Sequence, residues 1–291
     1  MVHPMRHRID PLIHERAPWL GRNTALTQVA QQSLDHLLGY GETVALAEKL
    51  ENASAADVMH TMGQMLSQHV TATGLGHIPA EGPALIVANH PTGIADGIIL
   101  HHLIAQRRPD TYFFANKDIL RVLPQMDDMI CPVEWRLEKR SRTSARETMQ
   151  YVRKATDAGR LGVIFPSGRL AKRRGLRLWE RPWMASAAML ARKFDLPVVP
   201  VNIRARNSAL FYLFDRIHPT LRDITLFHET LNKHKQPFQV TVGPHIQGRT
   251  LPKSADDGIA VLRDATLLLG EKPTPEIDMM AVTRPLLSRL G

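Results

Sequence analysis

The sequence predicts an α/β layered domain with a mostly parallel central sheet flanked by helices, preceded by an N-terminal helical extension. Three observations carry this. From Thr71 onward, short runs of β-branched and apolar residues alternate with amphipathic segments of helical spacing, the pattern of strand–helix–strand units. Several runs, such as Ala84–Ala88, are apolar without interruption, as expected of strands covered on both faces. The 291 residues, 44% hydrophobic and 22% charged, suffice for a substantial core.

Taken in order, residues 1–23 read as a loosely structured arm. A helix is expected from Thr24 to about Lys49, carrying Leu26, Val29, Leu34, Leu37 and Leu38, with a break at Gly39-Tyr40-Gly41. A second spans about Ser54–Val70: Val58, Met59, Met62, Met65, Leu66 and Val70 fall at helical spacing, Ser54 is placed to cap it and Asp57 lies in its first turn. Strands follow near Thr71–Ile78, Ala84–Ala88, Thr111–Ala115, Met129–Val133, Leu161–Phe165, Val198–Ile203 and Phe238–Val242. Helices are expected at Gly97–Gln106, Ser141–Ala158, Pro182–Phe194 and Ala255–Leu269. The organisation is thus an arm and helical extension over 1–70, an α/β domain over 71–250, and a C-terminal helix and tail over 251–291.

Composition narrows the function classes. The lone Cys131 excludes an internal disulfide and a cysteine-based metal site, and suits a reducing compartment. Met1–Asp10 is polar with no apolar stretch behind it, so no signal peptide is expected. No window approaches the roughly 18 consecutive apolar residues of a membrane span. Residues 136–206 hold 18 Lys/Arg against 5 Asp/Glu, a local surplus of 13 in a chain of net charge +9. Such a face suits an anionic partner: phosphate-bearing substrate, lipid headgroups or nucleic acid. Against nucleic acid, the stretch lacks interleaved aromatics beyond Trp179 and Trp183, and no helix-turn-helix or zinc-finger pattern is present.

Two loops carry candidate chemistry. Strand Ala84–Ala88 opens into Asn89-His90-Pro91-Thr92-Gly93-Ile94-Ala95-Asp96-Gly97, a histidine released from a buried strand with a carboxylate one turn away. That arrangement suits a general base and the group that orients it, although the same residues would also serve as strand and helix caps. The second loop is Phe165-Pro166-Ser167-Gly168-Arg169, followed by Lys172, Arg173, Arg174 and Arg177. Its turn exposes backbone N–H groups, and its guanidinium groups suit phosphate oxygens. His90, Lys117, Ser167 and Arg204 all lie just past expected strand ends, where sites gather in such sheets. Gly-x-Ser-x-Gly, P-loop and Gly-x-Gly-x-x-Gly patterns are absent, and the histidines form no metal set with carboxylates.

These motifs resemble the glycerolipid acyltransferase superfamily, the 1-acyl-glycerol-3-phosphate acyltransferases and their relatives, and within it a bacterial hemolysin-like branch that includes lysophospholipid and ornithine-lipid acyltransferases. Asn89–Gly97 is similar to that branch's Asn-His-Pro-x-Gly-Gly-x-Asp-Gly block and Phe165–Gly168 to its Phe-Pro-Ala/Ser-Gly block. Arg181-Pro182-Trp183, Val198–Val201 and Arg206–Tyr212 follow in the same order, over about residues 71–246. Five residues separate His90 from Asp96 where most of the superfamily has four, a spacing shared with the branch. The superfamily's Phe-Pro-Glu-Gly-Thr-Arg block, which helps bind a glycerol-phosphate acceptor, is here Phe-Pro-Ser-Gly-Arg, which leaves another hydroxyl-bearing lipid open as acceptor.

The resemblance implies transfer of an acyl group from an acyl thioester (acyl-CoA or acyl-carrier protein) to a lysolipid hydroxyl, with no further cofactor and no metal. His90 would be the base and Asp96 its support; Asn89, Gly93, Lys117, Phe165, Pro166, Ser167, Gly168, Arg169 and Arg173 would bind substrate. Backbone N–H groups of Pro166–Gly168 would face the oxyanion. The basic segment and the lead-in helices would dock on an anionic membrane surface, making the protein cytoplasmic and peripheral on the inner face of the cell membrane. A thioesterase using the same base, a lipid-binding protein without turnover and a nucleic-acid binder are the competing readings.

Overall fold

The computed structural model describes residues 5–18, 36, 38–134, 141–270 and 275–283. Its strands are β1 (Val70–Thr73), β2 (Ala84–Ala88), β3 (Tyr112–Ala115), β4 (Ile130–Pro132), β5 (Leu161–Ile164), β6 (Lys172–Arg174), β7 (Arg177–Trp179), β8 (Pro197–Arg204), β9 (Phe238–Val242), β10 (Ile246–Gln247) and β11 (Glu276–Asp278). The main sheet runs β1-β9-β8-β2-β5-β3-β4, with β10 added at β8. Strands β8, β2, β5, β3 and β4 are mutually parallel, whereas β9 runs antiparallel to β8 and carries β1 parallel to itself. The expected mostly parallel sheet is therefore present.

Alternation along β2 shows how the sheet is covered. Ala84, Ile86 and Ala88 join one apolar cluster, and Leu85 and Val87 the other, all at most 1% exposed. The first cluster packs against helices α1 (Arg6–Arg16), α2 (Tyr40–Leu50), α3 (Ala55–Leu66) and α4 (Ile94–Ile104). The second packs against α6 (Arg142–Asp157), α7 (Ser186–Lys193) and α10 (Ala255–Leu268). A short α5 (Asp118–Val122) follows β3, and α8 (Ala209–Ile217) and α9 (Pro219–Asn232) lie between β8 and β9. A separate three-stranded sheet, β11-β7-β6, leads into α11 (Met279–Thr283) and shares a small core of Leu178, Phe211, Tyr212 and Met279 with α8.

Several expectations are corrected. The arm over 1–23 contains helix α1, because Met5, Ile9 and Leu12 bury themselves against the main core, a tertiary gain that its polar composition and internal Pro11 conceal. Most of the helix expected from Thr24 lies outside the described residues; its end is α2, which starts after Gly39 at φ +62°. The strand expected over Thr71–Ile78 stops at Thr73, where Gly74 turns the chain at φ +75°. The β6–β7 hairpin and helices α8 and α9 were not anticipated. Helix α3 starts as expected, with Ser54 accepting the Asp57 N–H.

The lead-in helices also do not keep a free apolar face. Val44 and Leu50 of α2, and Val58, Met59 and Leu66 of α3, are buried in the main core. Their amphipathic pattern is satisfied by the sheet. No described helix is long and apolar enough to cross a membrane.

Candidate active site

The strand order β8-β2-β5-β3 sets the loops after these parallel strands side by side at their carboxyl ends, bringing His90 and Phe165 together. Strand β2 ends at Asn89, which replaces the next backbone rung: Nδ2 donates to the Ile203 carbonyl at 2.8 Å and Oδ1 accepts the Ile203 N–H at 2.7 Å. Both ends of this amide are occupied and the residue is 1% exposed, so Asn89 anchors the loop between β2 and β8. The His90 N–H donates to Glu180 Oε2 at 3.2 Å and its carbonyl accepts from the Ala171 N–H at 2.9 Å. The loop backbone is thereby held from two sides.

Gly93 then turns the chain at φ +101° and ψ −136°, a conformation closed to side-chain-bearing residues. Helix α4 begins at Ile94, three residues earlier than its apolar pattern suggests, which puts Asp96 inside the first turn. There its carboxylate accepts from the Thr92 N–H at 2.9 Å, the Gly93 N–H at 3.0 Å and the Thr92 hydroxyl. Asp96 is fully buried, and its charge is compensated by these donors and by the helix N-terminus. The capping and base-orienting readings coincide in one side chain. His90 Nδ1 lies 3.0 Å from Asp96 Oδ2, the oxygen that takes the two backbone N–H groups. The ring N–H is not aimed squarely at that oxygen, so contact is made without full hydrogen-bond alignment.

The second loop supplies a floor and a rim. Phe165 stacks on the His90 imidazole with centroids 4.3 Å apart and planes inclined by 24°. Pro166 carries no N–H, and that of Gly168 closes the turn on the Phe165 carbonyl at 2.9 Å, which leaves Ser167 as the turn's candidate oxyanion donor. The Ser167 hydroxyl donates to the Arg169 carbonyl at 2.9 Å. Arg169 is exposed and lies near Arg181, whose pKa is depressed by burial and by the charges of Arg169 and Arg222. For Arg173, Nε donates to the Gly175 carbonyl at 2.8 Å and the guanidinium lies over the Tyr212 ring. Lys117 is exposed and pairs with Glu147 of α6 at 2.8 Å.

Two features carried no motif signal. Glu180 is 8% exposed and holds the His90 N–H with one oxygen and the Trp183 indole N–H, at 2.9 Å, with the other; burial raises its pKa. Behind the Thr92 turn, Asn207 donates through Nδ2 to the Thr92 carbonyl at 3.3 Å and receives Lys233 Nζ on Oδ1 at 2.6 Å. An aromatic-backed imidazole with a buried carboxylate behind it suits direct activation of a bound hydroxyl.

Residues 69–204 match the family described as Acyltransferase. The chain is 22% identical over 227 residues to a lyso-glycine lipid O-acyltransferase of Phocaeicola vulgatus, covering 76% of this chain and 80% of that protein. A lyso-glycine lipid O-acyltransferase of Bacteroides thetaiotaomicron is 20% identical over 252 residues, covering 84% and 90%. Among solved structures, the 1-acyl-sn-glycerophosphate acyltransferase PlsC of Thermotoga maritima aligns at a TM-score of 0.49 and 13% identity, over 83% of this chain and 95% of that one.

Proposed function

We propose that the chain, whose residues 69–204 match the Acyltransferase family, is a lipid O-acyltransferase of the glycerolipid acyltransferase superfamily that moves an acyl group from a thioester to a lysolipid hydroxyl with His90 as general base. The single observation that carries this is the His90–Asp96 contact at 3.0 Å, made by a fully buried carboxylate whose remaining partners are all donors.

Asp96 keeps the imidazole proton on Nδ1, so Nε2 accepts the proton of the acceptor hydroxyl as its oxygen attacks the thioester carbonyl. The C–O bond forms, the tetrahedral oxyanion is met by the Ser167 N–H, and collapse breaks the C–S bond. The imidazolium returns its proton to the departing thiolate, which releases ester and thiol. Asp96 stabilises the imidazolium between the two transfers. The donor is acyl-CoA or acyl-carrier protein.

The acceptor is a lysolipid with an anionic headgroup group facing Arg169. Two relatives named for lyso-glycine lipid, together with a Phe-Pro-Ser-Gly-Arg turn lacking the glutamate of glycerol-phosphate enzymes, support an amino-acid-headed lysolipid. We further propose a peripheral position on an anionic cytoplasmic membrane surface. The lobe beside the site supports it: Leu176, Leu213, Ile217 and Met280 are exposed large apolar residues, with exposed Lys172, Arg174, Arg177 and Arg216 on the same elements. Each near-surface cation contributes about 1 kcal/mol toward an anionic leaflet.

The test is acyl transfer by purified protein from acyl-CoA and acyl-carrier protein to a panel of lyso-glycine lipid, lysophospholipid and water. Wild type is expected to form acylated lysolipid, and His90→Ala none. Activity retained in His90→Ala removes the base reading, and free fatty acid as sole product makes the protein a thioesterase. Equal pelleting with neutral and anionic vesicles at low salt removes electrostatic docking.

A further inference from the structure

We propose that Lys233 is a positioning residue for the His90–Asp96 pair, its buried ammonium fixing Asn207 and, through it, the Thr92 turn that holds Asp96. This rests on the general-base reading above. The Lys233 side chain has no exposed surface. An ammonium out of water costs several kcal/mol unless its protons are all used. Here Nζ donates to the Arg206 carbonyl at 2.9 Å and to Asn207 Oδ1 at 2.6 Å, and faces Glu229 Oε2 at 3.8 Å. Glu229 is occupied in turn by the Ser208 N–H at 2.8 Å and the Ser208 hydroxyl.

The chemistry of these groups sets a direction. An ammonium only donates, so the amide oxygen of Asn207 must face it, and the NH2 must face away. That NH2 donates to the Thr92 carbonyl at 3.3 Å, while the Asn207 N–H donates to the Tyr212 hydroxyl at 3.1 Å. Thr92 then gives its own N–H and hydroxyl to the two oxygens of Asp96. Three hydrogen-bonded links, Lys233–Asn207, Asn207–Thr92 and Thr92–Asp96, thus lead from the ammonium to the carboxylate behind His90. A hydrophobic side chain of similar volume would fill the same space without the desolvation cost, but it would leave the Asn207 amide undirected.

The charges around Lys233 are Glu229 on α9, Asp96 on α4 and Arg206 before α8, with the Tyr212 hydroxyl on α8 nearby. Burial lowers the Lys233 pKa to about 8, with Glu229 and Asp96 opposing the shift and Arg206 adding to it. The clamp is strongest while the ammonium is charged; the neutral amine keeps two N–H donors but loses the charge that strengthens its hydrogen bonds to Arg206 and Asn207.

The experiment compares kcat–pH profiles from pH 6 to 10 for wild type, Lys233→Met, Lys233→Met/Glu229→Gln and Asn207→Ala, with thermal melts and circular dichroism on each. Wild type is expected to show a falling basic limb near pH 8. The folded Lys233 variants should lose that limb and about 10²-fold in kcat, with KM for both substrates within about threefold. Asn207→Ala should lose kcat similarly. Folded variants with wild-type kcat overturn the proposal, and Asn207→Ala, which keeps Lys233 in place, decides the matter if the Lys233 variants do not fold. His90→Ala is run alongside: if it is active the general-base reading fails, and if it is inactive a negative Lys233 result removes Lys233 alone.

Discussion

Phe165 covers one face of the His90 imidazole, centroid to centroid at 4.3 Å, although 75 positions separate the two in the chain. Parallel pairing of β2 with β5 in the register Ile86↔Val163 and Val87↔Ile164 brings them together, since each follows shortly after its strand. The stack fixes the ring plane and shields it from water. Phe165→Leu is expected to lower kcat roughly tenfold and stability by about 1 kcal/mol, with Phe165→Tyr near wild type. Steady-state kinetics with urea unfolding checks this; an undiminished kcat in Phe165→Leu would show that the stack is packing alone.

Asp96→Asn keeps an oxygen for the Thr92 and Gly93 N–H groups but removes the charge behind His90. Loss of about 10²- to 10⁴-fold in kcat/KM is expected, with the fold retained by circular dichroism. A variant within threefold of wild type would mean that Asp96 only caps α4.

Gly93→Ala forces a side chain into φ +101°, with the new Cβ 3.2 Å from Leu170 Cδ2. The backbone term alone costs about 1–3 kcal/mol. Because relief of this strain would move the turn between His90 and Asp96, kcat should fall further than the loss of stability explains. Melting temperature and kcat measured on one preparation separate the two effects.

His101 sits in the last turn of α4 at 5% exposure against Phe113, and burial lowers its pKa to about 4, with His102 adding to the shift. The unfolded chain, at its ordinary 6.5, therefore takes up the proton first on acidification. This contribution is fully present above pH 6.5 and lost as pH falls toward 4, up to roughly 3 kcal/mol. Urea midpoints at pH 7.5, 5.5 and 4.5 should drop steeply for wild type and less for His101→Leu. Parallel curves for the two would show that other groups govern the acid limb.

Much of this candidate site is legible in the sequence. His90 and Asp96 stood out because a buried strand released a histidine into a Pro/Gly turn ahead of a carboxylate, and Phe165–Arg169 because a second strand opened the same way. Asn89, expected among the substrate contacts, completes the β2–β8 ladder through Ile203, a role set by strand neighbours that lie 114 positions apart. Lys117 and Arg173, expected to bind substrate, have Glu147, and Gly175 and Tyr212, as their partners within the chain. Charge is visible in a sequence; the partner that takes it is not.

By itself, the sequence determined the layered α/β class, the strands that bear the candidate site and the histidine and carboxylate released beside them, because periodicity and turn residues are local properties. Only the tertiary structure decided that Asp96 caps α4 and faces His90 with one carboxylate, that Glu180 holds the His90 backbone, and that Lys233 is buried behind Asn207. Those roles arise from desolvation and hydrogen-bond direction among segments far apart in the chain. A lysine at a helix end reads as solvated until the packing of α9 removes the water around it.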